Sequence, residues 1–154
     1  MNYLTDKEIH RICEEYGINN YTINSDGSID VDGSVDLRNR GLTKLPLKFN
    51  HVSGHFYCSE NELTTLEFSP KSVGSNFNCI WNNLESLEFS PKSVNNFYCS
   101  WNKLTTLDFA PQSVGGSFYC GFNPIYDQLG DIDYKSYIKQ LNRDKILNEL
   151  LYSK

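Results

Sequence analysis

The sequence predicts an α/β solenoid: about five short coils with a parallel strand face and a non-helical return side, with a helical cap at each end. Three observations carry this. Four of the five cysteines, Cys58, Cys79, Cys99 and Cys120, stand 21, 20 and 21 residues apart, and self-similarity at a short fixed period marks stacked coils. Phenylalanine, asparagine, leucine, proline and valine keep step with those cysteines. Amphipathic helical patterns stand only at the two ends. A chain of 154 residues suits one domain with a real core, spanning 1–154.

Residues 1–20 form the predicted N-terminal helical cap. Thr5 and Glu8 have capping-box spacing, Ile9, Ile12, Cys13 and Tyr16 make an i, i+3, i+4, i+7 stripe, and Gly17 is the stop. Residues 21–37, "YTINSDGSIDVDGSVDL", alternate apolar and polar side chains around two Asp-Gly signals. They read as a small antiparallel hairpin or meander leading into the coils.

The repeats occupy 35–126. Phe56, Phe77, Phe97 and Phe118 each precede a cysteine by two residues, and Asn61, Asn82, Asn102 and Asn123 follow one by three. Leu63, Leu84, Leu104 and Ile125 come next, then Leu66, Leu87 and Leu107, then Phe68, Phe89 and Phe109. Pro70, Pro91 and Pro111 precede Val73, Val94 and Val114, which close each unit. A diverged first copy carries Val35, Leu37, Leu42, Leu45, Leu47 and Val52, with Arg40 at the asparagine position. Phe and Cys two apart share one face of a short strand, so both point inward and the cysteine acts as a small buried hydrophobe. The Asn sits where the chain leaves the strand, placed to bond backbone groups of its own and neighbouring coils. The proline and the short length of the return segment rule out a long helix there.

Residues 127–154 form the predicted C-terminal cap. Tyr134, Ile138, Leu141 and Lys145 or Ile146 stand near helical spacing, and Ile146, Leu147, Leu150 and Leu151 end the pattern. One or two helices are expected to cover the last coil, whose core and strand edges would otherwise be open.

The unit "F-x-C-x-x-N-x-L-x-x-L" resembles the leucine-rich repeat signature. With its period near 20 residues and Pro three before the return-side valine, it is similar to the short bacterial class. From Tyr21 to Tyr126 it looks closer still to leucine-rich repeat proteins of large bacteriophages, which have a similar lead-in and "FYC-x-x-N-x-L-x-x-L" coils. That group mostly has no assigned biochemical role, so the resemblance implies a fold rather than an activity.

Composition narrows the function classes. The formal net charge of −5 and the lack of clustered Lys and Arg argue against a nucleic-acid surface. No apolar run approaches the roughly 18 residues of a membrane span. Met1 to His10 has no hydrophobic segment of the signal-peptide kind, so a cytoplasmic location with reduced thiols is expected. For a phage-encoded protein this would be the host cytoplasm.

Catalytic and metal readings fare poorly. His10-x-x-Cys13 lies on the short N-terminal helix, and in His55-x-x-Cys58 strand alternation turns the two side chains to opposite faces. Both are read as structural. The four stacked cysteines lack the C-x₂₋₄-C pairing of zinc sites. In "SIDVDGSVDLRN", Asp30, Asp32 and Gly33 match part of a calcium loop, but Ser28 and Asn39 replace two strong ligands, so a solvated hairpin is expected. The chain is therefore read as a non-enzyme with no cofactor and no metal.

The informative surface is the outward strand face. One row is Tyr57, Asn78, Tyr98 and Tyr119; the next is Ser59, Ile80, Ser100 and Gly121; the third is Glu60, Trp81, Trp101 and Phe122. Tyr57, Trp81, Tyr98, Trp101, Tyr119 and Phe122 are the candidate partner-binding residues, because exposed aromatics are enriched at interface hot spots. Ladder stacking between strands is a compatible structural role. The expected function is a protein-binding module, and the phage resemblance implies a host or host-defence protein as partner. The alternatives are a nucleotide or sugar binder that stacks its ligand on Tyr and Trp, or a structural virion component.

Overall fold

A computed structural model describes residues 4–129 and 134–152. Helix α1 (Asp6–Glu15) starts at the predicted capping box: the Thr5 side chain accepts from the Glu8 N–H, and the Glu8 carboxylate accepts from the Thr5 N–H at 2.7 Å. Its Ile9 and Cys13 are buried in the core. Gly17 follows with φ +65°, a left-handed conformation that glycine adopts without a Cβ penalty.

Two parallel sheets then build a solenoid of about four turns. One sheet runs β3 (Val35–Asp36), β5 (Phe56–Tyr57), β7 (Asn76–Asn78), β9 (Asn96–Tyr98) and β11 (Phe118–Tyr119). The other runs β1 (Tyr21–Ile23), β2 (Ile29–Val31), β4 (Phe49–Val52), β6 (Ser72–Val73), β8 (Ser93–Val94) and β10 (Ser113–Val114), parallel except where β1 pairs antiparallel with β2. The return side is thus a sheet in its own right, with Val52 registered on Val73 and Val94 on Val114. The repeats number about five but the turns about four. After β11 the last copy supplies no further return strand among the described residues.

The lead-in is more than a hairpin. Its first Asp-Gly turns β1 into β2, but β2 already pairs parallel with β4. The second Asp-Gly swings the chain onto β3 of the other sheet, so Val35 lies in register with Phe56. Asp30 and Asp32 accept from Asn50 Nδ2 at 2.7 Å and Ser53 Oγ at 3.0 Å.

Inside the coils the rings stack. Phe56 on Phe77, Phe77 on Phe97, and Phe97 on Phe118 have centroids 5.3, 5.3 and 5.4 Å apart with nearly parallel planes. This follows from placing identical residues in register on strands about 4.8 Å apart. From each inward Phe (or Val35) to the next return-side Val the count never varies; the alternation of 21 and 20 residues arises at the short corner after the valine. Three residues fill that corner at 74–76, and two at Asn95 and Asn96. There Asn96 Nδ2 donates to Asn76 Oδ1 at 2.8 Å, and Asn96 Oδ1 accepts from the Ser117 N–H at 2.7 Å. The coils also meet closely at Gly74: a Cβ there would sit 2.1 Å from the Ser53 carbonyl oxygen.

The chain ends in α2 (Tyr126–Leu129) and α3 (Tyr134–Tyr152). Tyr137 packs against the core, but Ile146, Leu147, Leu150 and Leu151 are exposed. Contact with the core is thus made near the start of α3, through Tyr137, and not by its apolar end, where the predicted cap placed it. Ile146 stands nine residues beyond Tyr137, half a turn out of phase at 3.6 residues per turn. The side chains of Tyr134 and Lys145, placed in the predicted stripe, lie outside the described residues. Among the described residues no helix is long and apolar enough to cross a membrane.

Candidate functional site

The strand face is organised by an asparagine ladder at its edge. Asn82 Nδ2 donates to the carbonyls of Cys58 and Cys79 at 3.0 and 3.1 Å, and its Oδ1 accepts from the Leu63 N–H at 3.0 Å. Asn102 repeats this on Cys79, Cys99 and Leu84, and Asn123 on Cys99, Cys120 and Leu104. Asn61 reaches back to the Leu37 carbonyl and accepts from the N–H groups of Arg40 and Leu42. Each carboxamide joins two coils and satisfies buried backbone groups that have no strand partner. Arg40, at the asparagine position of the first copy, is exposed and lies over the Tyr16 ring.

The residue before each ladder asparagine is forced into left-handed backbone: Glu60, Trp81, Trp101 and Phe122 have φ of 57°, 58°, 57° and 58°. Such φ is unusual for bulky side chains and persists where surrounding bonds over-determine it. Here the Asn61 and Asn82 N–H groups donate to the carbonyls of Trp81 and Trp101 in the adjoining coils. The conformation throws the aromatic side chains out past the sheet edge. Trp81 and Trp101 are 57% and 44% exposed, and Phe122 is 67% exposed. Their rings form a column, Trp81 to Trp101 at 5.1 Å and Trp101 to Phe122 at 3.9 Å between centroids.

Beside this column the tyrosines make a second one. Tyr98 and Tyr119 stack at 5.5 Å with planes 7° apart, and Tyr57 stacks on His55 at 5.2 Å under the Arg38 guanidinium. Asn78 interrupts the tyrosines, and its side chain accepts from the Ile80 N–H. All six aromatic residues expected on this face are on it. Ser59, expected to face outward, is buried; its short side chain lies in register between the longer Arg38 and Ile80. The N-terminal end of the face is charged, with Asp36, Arg38, Arg40 and Glu60 lining a shallow depression. Arg38 donates to Asp36 through Nη2 at 2.6 Å, and this hydrogen bond holds the Asp36 carboxyl below its ordinary pKa.

The thiols lie under this face. Cys58, Cys79 and Cys99 are fully buried, and burial pushes each thiol pKa well above its ordinary value. Burial raises Cys120 and Cys13 as well. A nucleophilic thiol needs a lowered pKa and access to solvent, so none of these has the environment of one. His55 stacks on Tyr57 at the surface while Cys58 points inward. Among the described residues no cluster of three or more His, Cys, Asp or Glu side chains is placed to hold a metal ion.

A second aromatic row was not singled out by the sequence. Phe68, Phe89 and Phe109, at the corner that leads into the return sheet, have φ of 73°, 67° and 64° and are 41%, 52% and 60% exposed. Spacing alone groups them with the leucines. The signal that separates them is the Ser-Pro or Ala-Pro that follows, which marks a turn rather than a strand.

The chain is a parallel-strand β-solenoid with an exposed aromatic ladder. Comparison with protein-family models, curated proteins and solved structures finds no match for it.

Proposed function

We propose that this chain is a non-enzymatic protein-binding module of the leucine-rich repeat type, with α1 and the start of α3 as its caps, and that its aromatic strand face grips a partner protein. The observation that carries the reading is the column Trp81–Trp101–Phe122, held out from the sheet edge beside Tyr57, Tyr98 and Tyr119. A rigid backbone fixes these rings, so little side-chain entropy is lost on binding. The asparagine ladder supports the repeat type, because each side chain bonds both its own coil and the one before. The resemblance to phage-encoded repeat proteins makes a host or host-defence protein in the host cytoplasm the natural partner.

The ring geometry disfavours a stacked nucleotide or sugar. Rings 3.9 to 5.5 Å apart are already in contact with one another, and a planar ligand sandwiched between two of them would need about twice the 3.5 Å van der Waals spacing. Mainly ring edges face outward, across an open surface rather than an enclosing pocket.

The test is capture from host lysate followed by affinity measurement on the captured protein. Trp81→Ala with Trp101→Ala should weaken binding by about thirtyfold or more while circular dichroism stays native. Charge reversal at Lys71 and Lys92, on the return side, should leave it unchanged. Retained binding in the folded double-tryptophan variant, with loss in the lysine variant, would remove the strand face from the assignment.

A further inference from the structure

The Phe68, Phe89 and Phe109 corner has a chemistry distinct from the strand face. Each phenylalanine is the third residue of a turn closed by a backbone bond, Ser69 to Leu66 at 2.9 Å, Ser90 to Leu87 at 3.0 Å and Ala110 to Leu107 at 3.2 Å. Positive φ at that position normally selects Gly or Asn. Successive turns are tied together: Ser69 Oγ donates to the Phe89 carbonyl, and Ser90 Oγ to the Phe109 carbonyl at 2.5 Å. The row is a rigid ridge of exposed apolar groups, one per coil.

Charge flanks this ridge on both sides. Glu67, Glu88 and Asp108 immediately precede the phenylalanines, and their N–H groups donate to Thr65, Ser86 and Thr106 hydroxyls at 3.0 Å. Exposed Lys71 and Lys92 stand three residues after Phe68 and Phe89, with Gln112 in the third coil. Glu67, Glu88, Lys71 and Lys92 make no ion pair among the described residues. The corner therefore presents an anionic row, an apolar row and a cationic row, all parallel to the solenoid axis.

The spacing selects what can lie along it. Coils repeat at about 4.8 Å. A helix places one side chain per turn on a given stripe, at about 5.4 Å, so two steps accumulate a mismatch of only about 1 Å. An extended strand repeats a face every about 6.7 Å, and two steps leave it about 4 Å out of register.

We propose that this edge docks an amphipathic helix of a partner protein, lying along the solenoid axis with its apolar stripe on Phe68, Phe89 and Phe109. One flank of that helix carries Lys or Arg against Glu67 and Glu88; the other carries Glu or Asp against Lys71 and Lys92. The two flanks fix the direction in which the helix runs, as flanking charges do in helix pairs. This edge is separate from the strand face, and the inference stands whether or not that face binds anything.

The probe is a fluorescein-labelled, alanine-based helical peptide with a leucine stripe, lysines along one flank and glutamates along the other. Its binding is read by fluorescence anisotropy at low salt. The control peptide carries glutamate on both flanks. Binding of the first peptide should exceed that of the control by about tenfold and fall with added salt. The Phe68→Asn, Phe89→Asn, Phe109→Asn variant, whose asparagines accept positive φ, should keep its circular dichroism and weaken the peptide by at least about tenfold. Glu67→Lys with Glu88→Lys should weaken it as well. Absence of binding, equal binding of both peptides, or full binding by the asparagine variant would overturn the proposal. So would loss of binding in the Trp81→Ala, Trp101→Ala variant, which would move the peptide to the strand face. Self-association of the free protein that Phe89→Asn abolishes would assign the edge to a second copy and also overturn it.

Discussion

Asn102 reaches one coil back to Cys79: its Nδ2 donates to the Cys79 carbonyl at 3.0 Å while its Oδ1 accepts from the Leu84 N–H at 3.0 Å. One side chain thereby closes two buried backbone gaps. Asn102→Ala should lower stability by about 1–3 kcal/mol, since the Leu84 N–H is left unpaired away from water. Arg40→Ala, at the equivalent position of the first coil, removes an exposed side chain and should cost no more than about 0.5 kcal/mol. Urea unfolding of the two variants measures both; similar, negligible losses would show that the ladder contributes nothing.

The buried thiols predict both reactivity and a pH dependence. Cys58, Cys79 and Cys99 should resist a bulky alkylating reagent in the native protein and react at once in denaturant. Burial raises their folded pKa above the ordinary value near 9. Below the unfolded pKa both states hold the proton and the contribution is constant. Above it the unfolded chain ionises first, so stability is lost as pH rises past about 9. Each such thiol adds about 1.4 kcal/mol per pH unit to that loss, and Cys79→Ala should make the slope shallower by that amount. An unchanged slope in reducing buffer would mean that Cys79 ionises equally in both states.

At the short corner, Gly74→Ala places a Cβ 2.1 Å from the Ser53 carbonyl oxygen. The neighbouring backbone must move, at a cost of about 1–3 kcal/mol. Gly121→Ala is the control: its Cβ meets nothing nearer than Ser100 Oγ at 3.9 Å, and its melting temperature should stay close to that of the parent.

The strained aromatic corners predict a near-cancellation. Phe89→Gly loses the half of the ring that is buried but relieves a left-handed phenylalanine, worth about 1–2 kcal/mol. The net change should fall within about 1 kcal/mol of zero. Phe77→Ala, in the stacked core, should instead cost about 3–5 kcal/mol. A large loss at Phe89 would mean that its ring is a structural prop rather than a surface group kept at the expense of backbone comfort.

Much of this molecule was legible in the sequence. The period, the inward Phe and Cys, the buried Asn and the capped first helix all follow from local rules: strand alternation, hydrogen-bond capacity and helix capping each act within a few residues or one repeat. Tyr57, Tyr98 and Tyr119 were legible for the same reason, since each lies between an inward Phe and a buried Cys on its strand and so faces the other way; Trp81, Trp101 and Phe122 stand two residues after a buried cysteine, where alternation alone would turn them inward. What the tertiary structure decided is what depends on one coil meeting the next. The return segments pair into their own parallel sheet because neighbouring coils supply the missing hydrogen-bond partners, so their strands do not exist in any single repeat. Trp81 and Trp101 stand beyond the sheet edge, and Phe68, Phe89 and Phe109 stand at the surface, because hydrogen bonds between coils hold them at positive φ. Which half of α3 meets the core is decided there too: Leu151, fourteen residues beyond Tyr137, stands within about 40° of the same helix face, yet Tyr137 packs against the core and Leu151 is exposed.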